Sequence, residues 1–202
     1  MNKPRLLLAT NNPGKLQEMQ AILQGLGIAL IKPADLGLAL EVEEDGQTYA
    51  ENAAKKARAF AQASGLVSLA DDTGLEVDAL EGLPGLRSKR FGHAPFTDAN
   101  RRAYLLEQLA GKPRPWRARF RATVAVASPG GSVKFAEGTC LGEIVPQERG
   151  TGGFGYDSIF FIAEANATMA ELDMETKNRL SHRGQAMRNA LPLLLEYFGM
   201  GR

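Results

Sequence analysis

The chain is predicted to be an α/β protein built on a mixed sheet flanked by helices. Three observations predict it. Short apolar runs alternate with helical spacings up to about residue 109, and the stretch beyond is rich in strand patterns. The composition is that of a folded globular protein, with 44% hydrophobic and 23% charged residues. At 202 residues the chain is read as one domain over 1–202. A domain of this size buries roughly 70% of the surface its unfolded form exposes, so it needs no metal or disulfide staple.

The elements follow in order. Arg5 to Ala9 is a short buried-strand run. Pro13 to Gln24 has helical spacing, with Leu16, Met19 and Leu23 on one face, Asn12 as cap and Pro13 in the first turn. Thr48-Tyr-Ala-Glu51 reads as a capping box that opens an Ala-rich helix to about Ser64. Leu66 to Ala70 is a second short strand, ending in an Asp-rich turn. Thr97 caps a helix carrying Leu105, Leu106 and Leu109. Gly111 to Pro115 is linker-like and divides the chain roughly in half. Arg117 to Ala127 then alternates, with Phe120, Ala122, Val124 and Val126 on one face. Val133 to Gly138, Cys140 to Val145 and Ile159 to Ile162 are further strands. Thr168 to Glu171 is a second capping box, and Ser181 can cap a last helix to Phe198 that holds Pro192.

Charge and cysteine content exclude several classes. Lys plus Arg number 24 and Asp plus Glu 23, an even balance that argues against a general nucleic-acid or membrane-surface binder. Lys112, Arg114, Arg117, Arg119 and Arg121 could form a nucleic-acid track, but Arg117, Arg119 and Arg121 alternate with Ala118 and Phe120 as the solvent face of a half-buried strand would. Cys140 is the only cysteine and reads as a small buried hydrophobe rather than a nucleophile. No apolar run reaches the ~18 residues of a membrane span, and the apolar stretch in MNKPRLLLAT stops too soon for a signal peptide. A cytoplasmic protein is expected.

Five stretches could carry chemistry. Thr10-Asn11-Asn12-Pro13-Gly14-Lys15 brings a strand into a helix start, where free N–H groups and a lysine suit an anion; an ordinary helix cap looks the same. Asp71-Asp72-Thr73-Gly74 sets two carboxylates at a strand end, and Mg²⁺ takes one or two carboxylates with phosphate oxygens and waters. Adjacent residues of an extended chain point apart, so one of the two is expected to face a ligand. Glu41 to Asp45 is an acidic run before a helix that places Asn52 and Lys56 on one face; it could supply a metal ligand or be solvated. Gly150 to Asp157 combines glycines with Phe154 and Tyr156, which suits a planar base or a packed hairpin loop. Lys177 and Ser181-His182-Arg183 add donors near a helix start, and His93, in a Gly/Pro-rich loop, is incidental. Together these supply what a purine nucleoside triphosphate with Mg²⁺ requires, and with no partnered nucleophile in view, direct attack by water is simplest.

The stretches LLATNNPGK, TYAENAAKKA, LADDTGLEVDAL, PGLRSKRF, GTGGFGYDSIFF and LSHRGQA, in this order between residues 6 and 186, resemble the inosine triphosphate pyrophosphatase (Ham1-type) family. The resemblance implies an elongated mixed sheet with helices, two lobes with a substrate cleft between them, and a homodimer. It implies cleavage of ITP, dITP and XTP at the α–β phosphoanhydride, giving the monophosphate and pyrophosphate, with Mg²⁺ as cofactor. By the same resemblance Asp72 is the proton acceptor and a metal ligand, with Glu44 a second acid at the metal. Thr10, Asn11, Asn12, Pro13, Gly14, Lys15, Lys56 and Thr73 would bind phosphates and sugar. Phe154, Gly155, Tyr156, Asp157, Lys177, His182 and Arg183 would hold the base and nearby groups. The family usually has Gly where Asn11 stands and Ser where Thr73 stands; neither change removes a charge. Competing readings are a Maf-like pyrophosphatase for other modified nucleotides, a nucleotide-binding regulator without turnover, and a nucleic-acid module.

Overall fold

The structure, a computed structural model, describes residues 3–200. The domain expected over 1–202 and the reading of the MNKPRLLLAT stretch extend to residues 1–2 and 201–202, which lie outside the described residues. Eight strands form one mixed sheet: β1 (Arg5–Leu8), β2 (Ala29–Ile31), β3 (Val67–Val77), β4 (Pro84–Gly85), β5 (Trp116–Ala127), β6 (Val133–Ile144), β7 (Phe160–Ile162) and β8 (Ala167–Thr168). Their order is β2-β1-β3-β5-β6-β7-β8, with β4 paired to β3. β1 pairs parallel with β2 and β3, whereas β4 on β3, β7 on β6 and β8 on β7 are antiparallel. The helices are α1 (Pro13–Leu23), α2 (Tyr49–Ser64), α3 (Asp98–Leu109), α4 (Met174–Leu180) and α5 (His182–Tyr197). No helix among the described residues is long and apolar enough to cross a membrane.

The chain divides into two compact units. The first comprises the residues up to Asp72, Ala122–Gly138 and the residues from Arg183 on; the second comprises Thr73–Arg121 and Thr139–His182. In the first unit, strand alternation sorts side chains onto two faces. Leu6, Leu8, Leu69, Val124 and Val126 pack with Met19 and Leu23 of α1 and Ala186, Met187, Ala190 and Leu194 of α5. Leu7, Ala9, Ala70, Ala125 and Ala127 pack with Ala53, Ala57, Phe60 and Ala61 of α2. The alanines of α2 and of the facing strands let helix and sheet approach closely. In the second unit one cluster joins Leu75 and Val77 of β3, Leu105 and Leu109 of α3, Trp116 and Phe120 of β5, Ile144 of β6, and Ile159 and Phe160.

Several expectations are corrected. The strand predicted to stop at Ala70 runs on to Val77, because Leu75 and Val77 are buried and Leu75 and Glu76 pair with β4. The two strands predicted on either side of Thr139 are one, β6. Gly111–Pro115 is no divider but a short connection within the second unit. Thr48 Oγ1 accepts from the Glu51 N–H as a cap should, but the Glu51 carboxylate accepts from the N–H of Gln47, one residue before the expected partner. Helix α4 was not foreseen; at seven residues it is too short to show a period, although Asp173 caps it by accepting from the Thr176 N–H at 2.7 Å.

Candidate functional site

Because β3 continues through them, Asp71 and Asp72 sit within a strand and face opposite ways, as adjacent strand residues do. Asp71 has the parity of Leu69 and meets α1 and α5. Its carboxylate lies 3.0 Å from Lys15 Nζ and accepts from Arg183 Nε at 3.0 Å. Arg183 Nη1 donates to Glu18 of α1 at 2.5 Å, so two carboxylates bracket one guanidinium, with all three side chains almost fully buried. Burial opposes the Asp71 charge, but Lys15, Arg183 and Lys56 together outweigh it and hold the carboxyl far below the usual range. Burial likewise opposes the Arg183 charge, and Asp71 and Glu18 overcome it and raise its pKa. Burial lowers the pKa of Lys15 against the pull of Asp71.

Asp72 has the parity of Ala70 and meets α2. The four-residue spacing of Asn52 and Lys56 puts both on the inner face of that helix, as the sequence predicted. Asn52 Nδ2 donates to Asp72 Oδ2 at 3.0 Å, while its Oδ1 accepts from the Gly46 N–H at 2.7 Å. Lys56 Nζ lies 3.9 Å from Asp72 Oδ1, donates to Glu44 at 3.2 Å and to the Asp71 carbonyl at 2.6 Å. Burial pushes the Asp72 carboxyl above the usual range; Lys56, Lys15 and Asn52 hold it back, and Glu44 adds to the rise. One strand thus carries two neighbouring acids whose carboxyls are shifted in opposite directions.

Glu44 and Asp72 share Lys56 and are hard oxygen donors. Among the described residues no group of three or more His, Cys, Asp or Glu side chains is gathered as a metal site. Two carboxylates fit Mg²⁺, which fills the rest of its octahedron with phosphate oxygens and waters.

In the loop before α1, Asn12 caps the helix by accepting from the Lys15 N–H at 3.0 Å, and Thr10 Oγ1 accepts from the Asn12 N–H at 3.2 Å. Asn11 Nδ2 donates to the Leu40 carbonyl at 3.3 Å. Asn11, Asn12 and Pro13 are exposed and Gly14 half-buried.

The second unit holds the other predicted residues and brings Phe154, Asp157 and Lys177 together. Asp157 Oδ2 accepts from the Phe154 N–H at 2.9 Å and from Lys177 Nζ at 2.7 Å. The same ammonium sits 5.0 Å from the centre of the Phe154 ring. Gly153 has φ +71°, and a Cβ there would strike Asp157 and Lys177, so only glycine fits. Tyr156 is buried and donates its hydroxyl to the Ser88 carbonyl at 2.9 Å. His182 stacks on Phe120, with ring centres 4.6 Å apart at 14°. Thr73 is half-buried in β3. His182 and Arg183, adjacent in sequence, fall in different units: His182 joins Phe120, and Arg183 joins the acids.

Glu18 was missed: a carboxylate beside Met19 on an amphipathic helix carries no sequence mark of burial. Arg119 and Arg121 pair with Glu76 at 2.7 and 3.7 Å, which accounts for part of the cationic run. Cys140 is buried and burial pushes its thiol up to about 12, so it is not a nucleophile at neutral pH. His93 packs edge-on against Tyr104.

The family model described as Ham1 family matches residues 6–193. A dITP/XTP pyrophosphatase of Desulforamulus reducens is 48% identical over 191 residues, covering 94% of this chain and 95% of that protein. A dITP/XTP pyrophosphatase of Geobacter sulfurreducens is 49% identical over 196 residues, 96% of each. Among solved structures, a HAM1 protein from Coxiella burnetii superposes with a TM-score of 0.85 at 39% identity, covering 96% of this chain and 99% of that one. The Staphylococcus aureus Ham1 protein does so with a TM-score of 0.80 at 36% identity, covering 96% and 98%.

Proposed function

The chain belongs to the Ham1 family, and on that premise we propose that it hydrolyses the non-canonical purine nucleotides dITP, XTP and ITP to the monophosphate and pyrophosphate. The observation that carries the reading is the pair on β3: Asp71 is committed to Lys15 and Arg183, which leaves Asp72, with its raised carboxyl, as the proton acceptor. Water adds across the α–β anhydride, the bond between the α-phosphoryl group and the bridging oxygen breaks, and pyrophosphate leaves with the electron pair. The water proton passes to Asp72. Asn52 and Lys56 hold that carboxylate in place, and Lys56 and the helix start at Asn12–Lys15 offset phosphate charge. Asp72 and Glu44 would hold Mg²⁺, which when bound neutralises polyphosphate charge.

We assign the purine to the predicted base residues. Phe154 offers a ring face, and Asp157 and Lys177 fix the loop around it. His182, held flat by Phe120, is the donor for a 6-oxo group; the 6-amine of adenine would leave that donor unpaired. We assign Arg183 to supporting Asp71 rather than to the base, since Glu18 and Asp71 bracket its guanidinium. A cytoplasmic homodimer is the state the family resemblance implies.

The test is pyrophosphate release from dITP, XTP, ITP, ATP and GTP, with and without Mg²⁺, by the wild type and Asp72→Asn. Mg²⁺-dependent release that favours the first three and is lost in the variant supports the reading. Binding without release from any of the five makes the chain a regulator, and preference for none of the purines favours the Maf-like alternative.

A further inference from the structure

Helix α3 carries a feature that the acids and the base loop do not explain. Its first residue, Asp98, follows the cap Thr97, and Arg102 stands one turn later on the same face. Asp98 Oδ2 accepts from the Gly155 N–H at 2.7 Å, and Arg102 Nη1 donates to the Gly155 carbonyl at 2.9 Å. Both polar groups of one glycine, next to Phe154, are therefore held by side chains of a single helix turn. Each gripping residue is itself fixed. The other Asp98 oxygen pairs with Arg101, whose guanidinium also donates to the Lys89 carbonyl at 3.0 Å. Arg102 Nε lies 2.9 Å from Glu148, which also accepts from Ser158 Oγ at 2.9 Å. Gly155 has φ +64°, where an L side chain is strained, and a loop there has no regular ladder to define it.

We propose that Asp98 and Arg102 are positioning residues for the purine: they set the Gly155 peptide and through it the plane of the Phe154 ring. This deepens the function proposed above and rests on it, because Phe154 must face the base. The grip acts on the base end of the substrate and leaves the phosphate end alone.

The experiment measures three quantities for the wild type, Asp98→Ala, Asp98→Asn and Arg102→Met: KM and kcat for dITP, the affinity for IMP by calorimetry, and inhibition by inorganic tripolyphosphate. Loss of one such hydrogen bond predicts a ~5–10-fold rise in KM for dITP and in the Kd of IMP for Asp98→Ala, less for Asp98→Asn, which keeps an acceptor. The kcat stays within about twofold, and tripolyphosphate inhibits as in the wild type. A role in folding alone would reduce active protein without moving KM. Unchanged KM and Kd overturn the proposal, as does an equal weakening of tripolyphosphate. If Asp98→Ala does not fold, Arg102→Met decides: its KM for dITP and Kd of IMP must rise, and unchanged values overturn the grip. If the wild type releases no pyrophosphate, the enzymatic reading fails, and the IMP affinities still judge the grip by themselves.

Discussion

The two units build their clusters in opposite ways. Asp71 and Asp72 of the first unit stand on β3, and Lys15, Asn52, Lys56 and Arg183 that hold them stand on α1, α2 and α5, regular elements whose backbones are fixed by ladder bonds and packed cores. The aromatic cluster of the second unit stands on a glycine-rich loop whose shape depends on side-chain bonds from Asp157, Asp98 and Arg102. Buried charges demand fixed geometry, because a misplaced ion in a desolvated site costs several kcal/mol. A stacking ring tolerates more play. The difference predicts that damage to the first cluster lowers turnover or stability, whereas damage to the second raises KM.

The largest effect is expected for Asp72→Asn, with kcat down ~10²–10⁴-fold and KM little changed in steady-state assays. Next, Arg183→Met leaves Asp71 and Glu18 buried without their shared guanidinium. It is expected to cost ~3–5 kcal/mol, a fall of roughly 6–20 °C in Tm by calorimetry. Phe154→Ala is expected to raise KM for dITP ~5–100-fold, the worth of a base–aromatic stack, with kcat within about threefold. A comparable collapse of kcat in Phe154→Ala would erase the contrast between the clusters.

The smallest effect, that of Asp72→Asn on stability, divides the first cluster within itself. Asp71 titrates below its ordinary value of 3.8 in the folded protein, so its contribution to stability is complete above that pH and is lost as pH falls through the folded value. Asp72 titrates above 3.8, so what it contributes is present below that pH and is lost as pH rises through the folded value. In metal-free protein at pH 7, Asp72→Asn should therefore raise Tm slightly and Asp71→Asn should lower it. Two shifts of the same sign in calorimetry would undo the distinction.

Much of this was legible because the relevant signals are local. Asn12, Thr48 and Thr97 read as caps and cap, and the Asn52–Lys56 spacing read as one face and is one. The length of β3 was not legible: an Asp-Asp-Thr-Gly run has turn composition, and only its pairing with β4 and burial on both sides make it strand. Nor was the split between His182 and Arg183, since neighbours in sequence carry no mark of which partner each will meet. Glu18, Asp98 and Arg102 look like ordinary charges on helix surfaces. What distinguishes them is a partner 165, 57 or 53 residues away, a distance no window along the chain spans.

Gly46 carries a consequence of its own. Its N–H holds Asn52 Oδ1, which compels the amide to present Nδ2 to Asp72, and a Cβ on Gly46 would stand 2.7 Å from that oxygen. The amide therefore cannot flip. In a saturation scan of the chain, Gly46 would read as intolerant although it offers no side chain, and Gly46→Ala would score alongside Asn52→Ala. A genetic screen would thus register the orientation of one amide as the fitness cost of a methyl group six residues upstream.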